Sequence, residues 1–136
     1  MDTRDLATFL DEAFPQVAGE FDILEVTADG VRVALNTYDR HLRPGGTVSG
    51  PTLFSLADVG MYLAVLSRIG PEALAVTTNC SIDFMRKPPN GARLVAETRI
   101  LKLGRALAVG DVLIGAEGHA GVVARASLTY SIPPKR

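Results

Sequence analysis

The sequence is poor in the residues that form disulfides and metal sites. Among its 136 residues there are only one cysteine, Cys80, and two histidines. A single cysteine excludes an intrachain disulfide and is compatible with a reducing compartment. So few thiol and imidazole groups give little support to a zinc site or to catalysis by a cysteine–histidine pair. We therefore expect the chain to bind no metal.

The sequence also lacks an excess of charge of either sign. Its formal net charge is −1, which gives no reason to expect a nucleic acid or an anionic membrane as partner. The first five residues lack the basic-then-apolar order of a secretion signal. We expect one cytoplasmic domain that covers residues 1–136.

One carboxylate stands in the most apolar part of the chain. Asp58 is the only charged residue between Arg43 and Arg68. The apolar run 48–66 approaches the length of a membrane span, but Asp58 and the glycine, proline and hydroxyl residues in it argue against that role. In a buried helix an ionised group loses much of its water, so it needs a partner or a chemical role. Asp58 is therefore the first candidate for a functional residue.

Hydrophobic spacing and turn residues predict the order of the elements. The first predicted helix covers residues 4–14, with Thr3 as its N-cap and Pro15 as its stop. A second, longer helix is predicted at 51–66. Short connections imply antiparallel pairing of the predicted strands, which cover 21–27, 31–36, 77–85, 93–101, 106–114 and 122–132.

These elements predict an α+β fold. A helix that is apolar on nearly every side is normally enclosed by other elements, here by a curved antiparallel sheet of about five or six strands. Strict alternation in the strand 77–85 places Thr77 on the face opposite Cys80. Exposed edge strands favour pairing with a second copy. A monomeric α+β sandwich is the alternative.

The residues just before the long helix indicate a site for a negatively charged oxygen. Gly50 followed by Pro51 suits a helix start, and Ser49 or Gly50 can cap it. The free N–H groups of a helix N-terminus stabilise an oxyanion. Asp58 lies about 10 Å further along the helix axis. The two can serve one reacting centre only if they come from different subunits or if a loop folds back, which points to a shared dimer site.

Two segments carry a resemblance to a known family. Residues 46–58, Gly-Thr-Val-Ser-Gly-Pro-Thr-Leu-Phe-Ser-Leu-Ala-Asp, resemble the signature of hotdog-fold acyl-CoA thioesterases of the phenylacetate-degradation type. Residues 77–88 resemble that family's strand ending in Phe-x-Arg-Pro. The resemblance covers most of residues 21–132. It implies a hotdog fold, a homodimer or dimer of dimers, and hydrolysis of a coenzyme A thioester, with coenzyme A as part of the substrate and no separate cofactor.

The resemblance also assigns roles to individual residues. Asp58 matches the catalytic base or nucleophile, and Gly50 matches the residue whose N–H polarises the thioester carbonyl. Thr77 falls where some members hold a hydroxyl residue that positions water. The residues that fall near loops meeting the coenzyme A phosphates and ribose are Arg86, Lys87 and Arg105, whose charge suits phosphate.

Three positions depart from the family's pattern, and we count all three among the substrate-binding candidates. Ser49 replaces the usual histidine, and Pro51 replaces a second glycine and removes one N–H. Arg43 stands where some members have a catalytic asparagine. A cation there would either pair with Asp58 or favour an acyl group that carries negative charge.

Two other functions remain open at this level. The three departures suit a protein that binds acyl-CoA without hydrolysing it. A hotdog dehydratase or hydratase needs a histidine in the site, and only His41 could substitute for the one missing at position 49. His41 could line the pocket, but we expect it at the surface of its loop. His119 lies in a glycine-rich hairpin turn, where we expect no function.

Overall fold

The computed structural model describes residues 1–134, in which three helices and six strands are present. The helices are α1 (Thr3–Ala13), α2 (Pro15–Ala18) and α3 (Gly50–Ile69). The strands are β1 (Phe21–Val26), β2 (Val31–Leu35), β3 (Val76–Phe84), β4 (Leu94–Leu103), β5 (Leu107–Ala116) and β6 (Val122–Ser131). A 3-10 turn, Asp39–His41, lies in the loop between β2 and α3.

The six strands form a single sheet in the order β1-β2-β4-β5-β6-β3, and every neighbouring pair is antiparallel. Helix α3 contacts five of these strands, β2 to β6, and its buried side chains form the centre of the core. Helix α1 packs against β1 and α3. This confirms the predicted hotdog fold, a central helix enclosed by an antiparallel sheet.

Local sequence signals set both ends of α3. Ser49 is its N-cap, since the Ser49 hydroxyl accepts a hydrogen bond from the Thr52 N–H at 3.3 Å. Pro51 occupies the first turn, where its missing N–H costs little. Gly70 ends the helix with φ of 89°, a conformation that favours glycine.

By length and composition alone α3 would be long and apolar enough to cross a membrane, with a mean hydropathy of 1.4. However, 56% of that stretch is buried inside the protein. Core helices of globular domains have this property. The contacts of α3 with the sheet identify it as such a core helix.

Helix α3 approaches the sheet closely at one glycine. A Cβ atom at Gly60 would lie 2.9 Å from the methyl group of Thr98 on β4. The Thr98 hydroxyl donates to the Val31 carbonyl and accepts from the Val31 N–H, both at 2.9 Å. The close approach therefore lets one buried polar residue tie β2 to β4 beneath the helix.

The predicted elements are all present, with ends shifted by no more than three residues. The short helix α2 was not predicted. The predicted N-cap of α1 was wrong, because Asp2 caps this helix rather than Thr3. The Asp2 carboxylate accepts from the Asp5 N–H at 2.8 Å, and the Asp5 carboxylate accepts from the Asp2 N–H at 3.1 Å. This reciprocal pair satisfies two amides. A cap at Thr3 could not form it, because the residue three positions later is Leu6, which has no side-chain acceptor.

Strict alternation along β3 was also wrong at one position. The register of β3 on β6 shifts between Thr77 and Asn79. A β-bulge of this kind moves the following residues to the other face of the sheet. Thr77 therefore points towards α3 on the same side as Cys80, which packs against the core.

Candidate functional site

Asp58 lies half-buried on α3, at a cavity of about 380 Å³. The floor of the cavity comes from α3, and its walls come from the start of β3, the end of β6 and the α1–α2 junction. Besides Asp58, the lining residues are Ala13, Phe14, Gln16, Val59, Tyr62, Ala73, Ala75, Val76, Thr77 and Tyr130. Of the residues that the structure describes, Asp58 is the only one with a formal charge in this lining.

Two hydroxyl groups bind the Asp58 carboxylate. The Thr77 hydroxyl donates to Asp58 Oδ1. The Tyr130 hydroxyl lies 2.7 Å from the same oxygen and 2.9 Å from the backbone carbonyl oxygen of Asp58. These donors supply the partner that the sequence requires for a carboxylate in an apolar helix.

Tyr130 was not predicted as a residue of the site. Its ring is only 2% exposed, and burial together with the charge of Asp58 raises the pKa of its hydroxyl well above the usual range. The phenol therefore stays protonated and acts as a donor. The inward-facing residues of β6 alternate as Ala126, Leu128 and Tyr130. A tyrosine in such a buried row needs a hydrogen-bond partner for its hydroxyl. This pattern in the sequence could have identified Tyr130 as a candidate partner of a buried polar group.

Asp58 also affects the lone thiol. Burial, and then the negative charge of Asp58, raise the pKa of Cys80. Both effects disfavour the thiolate, so Cys80 is a poor candidate for a nucleophile.

The N-terminus of α3 has one unused donor. The Thr52 and Leu53 N–H groups bond to the side chain and the carbonyl of Ser49, and Pro51 has no N–H. Within residues 1–134 no acceptor bonds to the Gly50 N–H. The Gly50 N–H is therefore available to an acceptor, its role as an oxyanion donor stays a prediction, and Ser49 serves as the helix cap.

The expected surface position of His41 was wrong. His41 is 7% exposed, and its Nδ1 accepts the Tyr38 N–H at 2.8 Å while its Nε2 bonds to Glu20. Its carbonyl oxygen accepts the Ser49 N–H at 2.9 Å. The loop before α3 is therefore fixed to the strand region through His41. His119 lies in the β5–β6 turn, as expected, and is exposed.

The predicted basic residues lie at several separate places in the structure. Arg43 is exposed in the loop before α3 and, within the described residues, forms no ion pair with Asp58. Arg86 follows β3, and its Nε donates to the Val122 carbonyl at 3.0 Å. Lys87 is exposed beside it. Arg105 lies in the β4–β5 turn, at the opposite end of the sheet.

A single copy of the chain brings only some of the predicted site together. Asp58 and Thr77 share one cavity, whereas Gly50 lies outside it, at the other end of β3. A Cβ atom at Gly50 would be 3.3 Å from the ring of Phe84, the last residue of that strand. The donor and the carboxylate therefore lie beside opposite ends of the same strand.

Known proteins with related sequences and structures belong to one family. Residues 45–123, more than half of the chain, match the family described as the thioesterase superfamily. One related crystal structure is that of a protein from Silicibacter sp. TM1040, provisionally described as a thioesterase. Its sequence is 55% identical to this chain. The match covers 98% of this chain and 93% of that one, with a TM-score of 0.92.

Two further structures show a similar likeness. A point mutant of the phenylacetic acid degradation protein PaaI from Thermus thermophilus is 30% identical. The match covers 88% of this chain and 99% of the PaaI chain, with a TM-score of 0.75. A Streptococcus mutans protein bound to acetyl-CoA is 28% identical over 85% of this chain and 90% of its own, with a TM-score of 0.73. By its sequence match and its fold, this chain belongs to the thioesterase superfamily and is a hotdog-fold hydrolase of thioesters.

Proposed function

We propose that this protein hydrolyses an acyl-CoA thioester at a site shared between two copies of the chain. The observation that carries the proposal is the Asp58 carboxylate, held by two hydroxyl groups at the edge of an apolar cavity. The Gly50 N–H at the start of the same helix, which has no acceptor within residues 1–134, supplies the second element of the chemistry. A related structure contains acetyl-CoA, which supports this class of substrate.

The proposed reaction uses Asp58 and Gly50 in complementary roles. The Gly50 N–H donates to the thioester carbonyl oxygen and stabilises the negative charge that develops there. Asp58 either takes a proton from water that attacks the carbonyl carbon or attacks that carbon itself. The carbon–sulfur bond breaks, and the thiolate of coenzyme A leaves and takes up a proton. If Asp58 attacks directly, an anhydride between Asp58 and the acyl group forms, and water then cleaves it to the product acid and the regenerated carboxylate. In either case the second reactant is water, so no separate cofactor is required.

The geometry of β3 supports the shared site. Among residues 1–134, this strand is at the end of the sheet and pairs only on its β6 side. Asp58 bonds to Thr77 at one end of β3, and Gly50 lies beside Phe84 at the other. If β3 pairs antiparallel with its own copy about a two-fold axis, the Thr77 end of one strand meets the Phe84 end of the other. That pairing brings Asp58 towards Gly50 of the partner subunit.

The surface around β3 suits such an interface. Four large apolar residues on or beside the strand are each more than half exposed, namely Leu74, Val76, Phe84 and Met85. An unpaired strand edge with exposed apolar side chains favours association. The same pairing would bring Arg105 of one protomer to the end of the sheet where the partner's Arg86 and Lys87 lie. These three cations then surround one site and suit the phosphates of coenzyme A.

The cavity favours an uncharged acyl group. Its walls are formed mainly by alanine, valine and aromatic side chains, and no lysine or arginine of residues 1–134 lines it. A carboxylate on the acyl group would face Asp58 without a compensating cation. Arg43 does not line this cavity within one copy of the chain, so its contact with a charged acyl group stays a prediction that depends on the partner's loop.

The direct test compares wild type with Asp58→Asn on a panel of aliphatic and aryl acyl-CoA esters. We expect the substitution to reduce kcat about 100- to 10,000-fold, because it removes the base or nucleophile. Asp29→Asn is the matched control, since Asp29 lies in the β1–β2 turn, pairs with Arg99 and is neither on β3 nor in the lining of the cavity. Its rate should stay within about twofold of wild type.

Two results would contradict the proposal. Equal rates for wild type and Asp58→Asn would exclude the assigned mechanism. Binding of acyl-CoA by wild type with turnover at background would show instead a binding protein that has lost hydrolysis.

A further inference from the structure

We propose that Tyr130 is a positioning residue, which holds Asp58 Oδ1 so that Oδ2 is the oxygen that reacts. This inference rests on the proposed function. It adds to that function a residue outside the segment 45–123 that matches the family. We call the pair Thr77 and Tyr130 the clamp.

The clamp is a cross-strand pair. Thr77 on β3 and Tyr130 on β6 are direct partners in the register of these strands. Their hydroxyls converge on the same oxygen of Asp58, which projects from α3 between them. The shift in register that follows Thr77 puts its side chain on this face of the sheet. Three separate elements therefore fix the orientation of one carboxylate.

The two oxygens of Asp58 have different surroundings. Within residues 1–134 both side-chain hydrogen bonds of Asp58 reach Oδ1, and none reaches Oδ2. No buried side-chain oxygen in those residues lacks a hydrogen-bond partner. It follows that Oδ2 is not buried, and it is open to the cavity that Asp58 lines. Oδ2 is the oxygen with free lone pairs at the place where an acyl group would lie.

Tyr130 suits the positioning role better than a flexible polar residue would. Its ring is almost fully buried and lies 6.2 Å from the ring of Tyr62. The hydroxyl also lies 2.9 Å from the backbone carbonyl of Asp58, so it fixes both the side chain and its place on the helix. A base or nucleophile held in one orientation reacts faster, because less freedom is lost on reaching the transition state.

The test is the removal of a single oxygen atom by Tyr130→Phe. We expect kcat to fall about 10- to 100-fold, as for the loss of one hydrogen bond to a charged group, while KM for the acyl-CoA ester changes less than about twofold. Tyr38→Phe is the matched control, because Tyr38 is exposed and lies outside the cavity. Its kcat should equal that of wild type. A kcat unchanged in Tyr130→Phe would overturn the inference.

A double-mutant cycle separates positioning from general damage to the fold. If Tyr130 acts through Asp58, Tyr130→Phe should cause no further loss of rate in the Asp58→Asn background. An additional loss of similar size in that background would overturn the inference. Thr77→Val tests the other half of the clamp, with the same expected fall in kcat, and keeps the test informative if Tyr130→Phe unfolds.

Failure of this inference is distinguishable from failure of the proposed function. An active Asp58→Asn variant contradicts the proposed function itself. An inactive Asp58→Asn together with fully active Tyr130→Phe and Thr77→Val leaves the function intact and contradicts only the clamp.

Discussion

At the scale of single residues, the protein places a carboxylate in its most apolar helix and offsets the cost with two hydroxyl donors. Hydrogen bonds to a charged group contribute about 1.5–3 kcal/mol each. The two donors to Asp58 Oδ1 therefore compensate for much of the lost hydration. The other oxygen keeps its access to the cavity, so the carboxylate is stabilised without being blocked.

The lone thiol reports on this charge. The pKa of Cys80 is raised by burial and by Asp58. Asp58→Asn removes the second cause, so the pH at which alkylation of Cys80 reaches half its maximal rate should fall. In wild type this midpoint should lie above that of an ordinary thiol, since burial also favours the neutral form. The measurement is the rate of reaction with iodoacetamide between neutral and alkaline pH.

Asp83→Asn provides the control for that measurement. Asp83 is on the same strand as Cys80 but pairs with Arg125 and is not a cause of the raised thiol pKa. Its midpoint should match that of wild type. A midpoint that stays the same in Asp58→Asn as well would contradict the electrostatic contact between Asp58 and Cys80.

At the scale of elements, close contacts between neighbouring strands determine where the β1–β2 hairpin lies. Gly30 ends the turn, and a Cβ atom there would lie 2.0 Å from the backbone carbonyl oxygen of Thr98 on β4. A backbone atom cannot rotate away from such a contact as a flexible side chain can. Only glycine therefore allows the hairpin to approach β4 at this point.

This close approach predicts a large effect of one methyl group. Gly30→Ala should lower the free energy of unfolding by about 2 kcal/mol or more, since the hairpin must shift to relieve the overlap. Gly19→Ala is the matched control, because nothing lies within 4 Å of a Cβ atom at that position. Urea unfolding of the three proteins measures both effects. Equal stability of the two variants would contradict the close contact.

The element β3 links the fold to the site. Its bulge places Thr77 against Asp58, and its far end lies beside Gly50. Bulges are frequent next to active sites, where they redirect a side chain. The strand thus has one half of the proposed catalytic arrangement at each end, and within residues 1–134 its outer edge is unpaired.

At the scale of the whole molecule, the proposed dimer makes a prediction that no single protomer could satisfy. Asp58→Asn and Gly50→Pro should each be inactive, because one lacks the carboxylate and the other lacks the N–H donor. In a mixed dimer, one of the two shared sites combines an intact Asp58 with an intact Gly50. Random mixing of equal amounts should therefore restore about a quarter of the wild-type activity.

The experiment unfolds and refolds the two variants together and measures hydrolysis of the same acyl-CoA ester. Each variant refolded alone is the control, and size-exclusion chromatography checks that dimers form. If Asp58 and Gly50 acted within one protomer, every site in the mixture would carry a defect. Activity no higher than that of the separate variants would then contradict the shared site.

Much of this protein could be predicted from local patterns in its sequence. Helical spacing located α3, and the Ser49-Gly50-Pro51 turn located its start, because caps and periodicity depend on neighbouring residues. The absence of other charges between Arg43 and Arg68 marked Asp58 as the residue to explain. The family resemblance and the fold that it implied are also confirmed.

The tertiary structure alone decided which groups meet Asp58. Tyr130 is 72 positions away in the chain, and its contact depends on the register of β6 against β3. The same register contains the bulge that turns Thr77 inward, and strict alternation predicted the opposite face. His41 became a buried residue because Glu20, 21 positions earlier, reaches its ring. The sequence determined that one carboxylate would need partners, because the apolar residues on both sides of Asp58 already indicate that its charge is buried. The fold decided which partners these are, since long-range pairing brings them together.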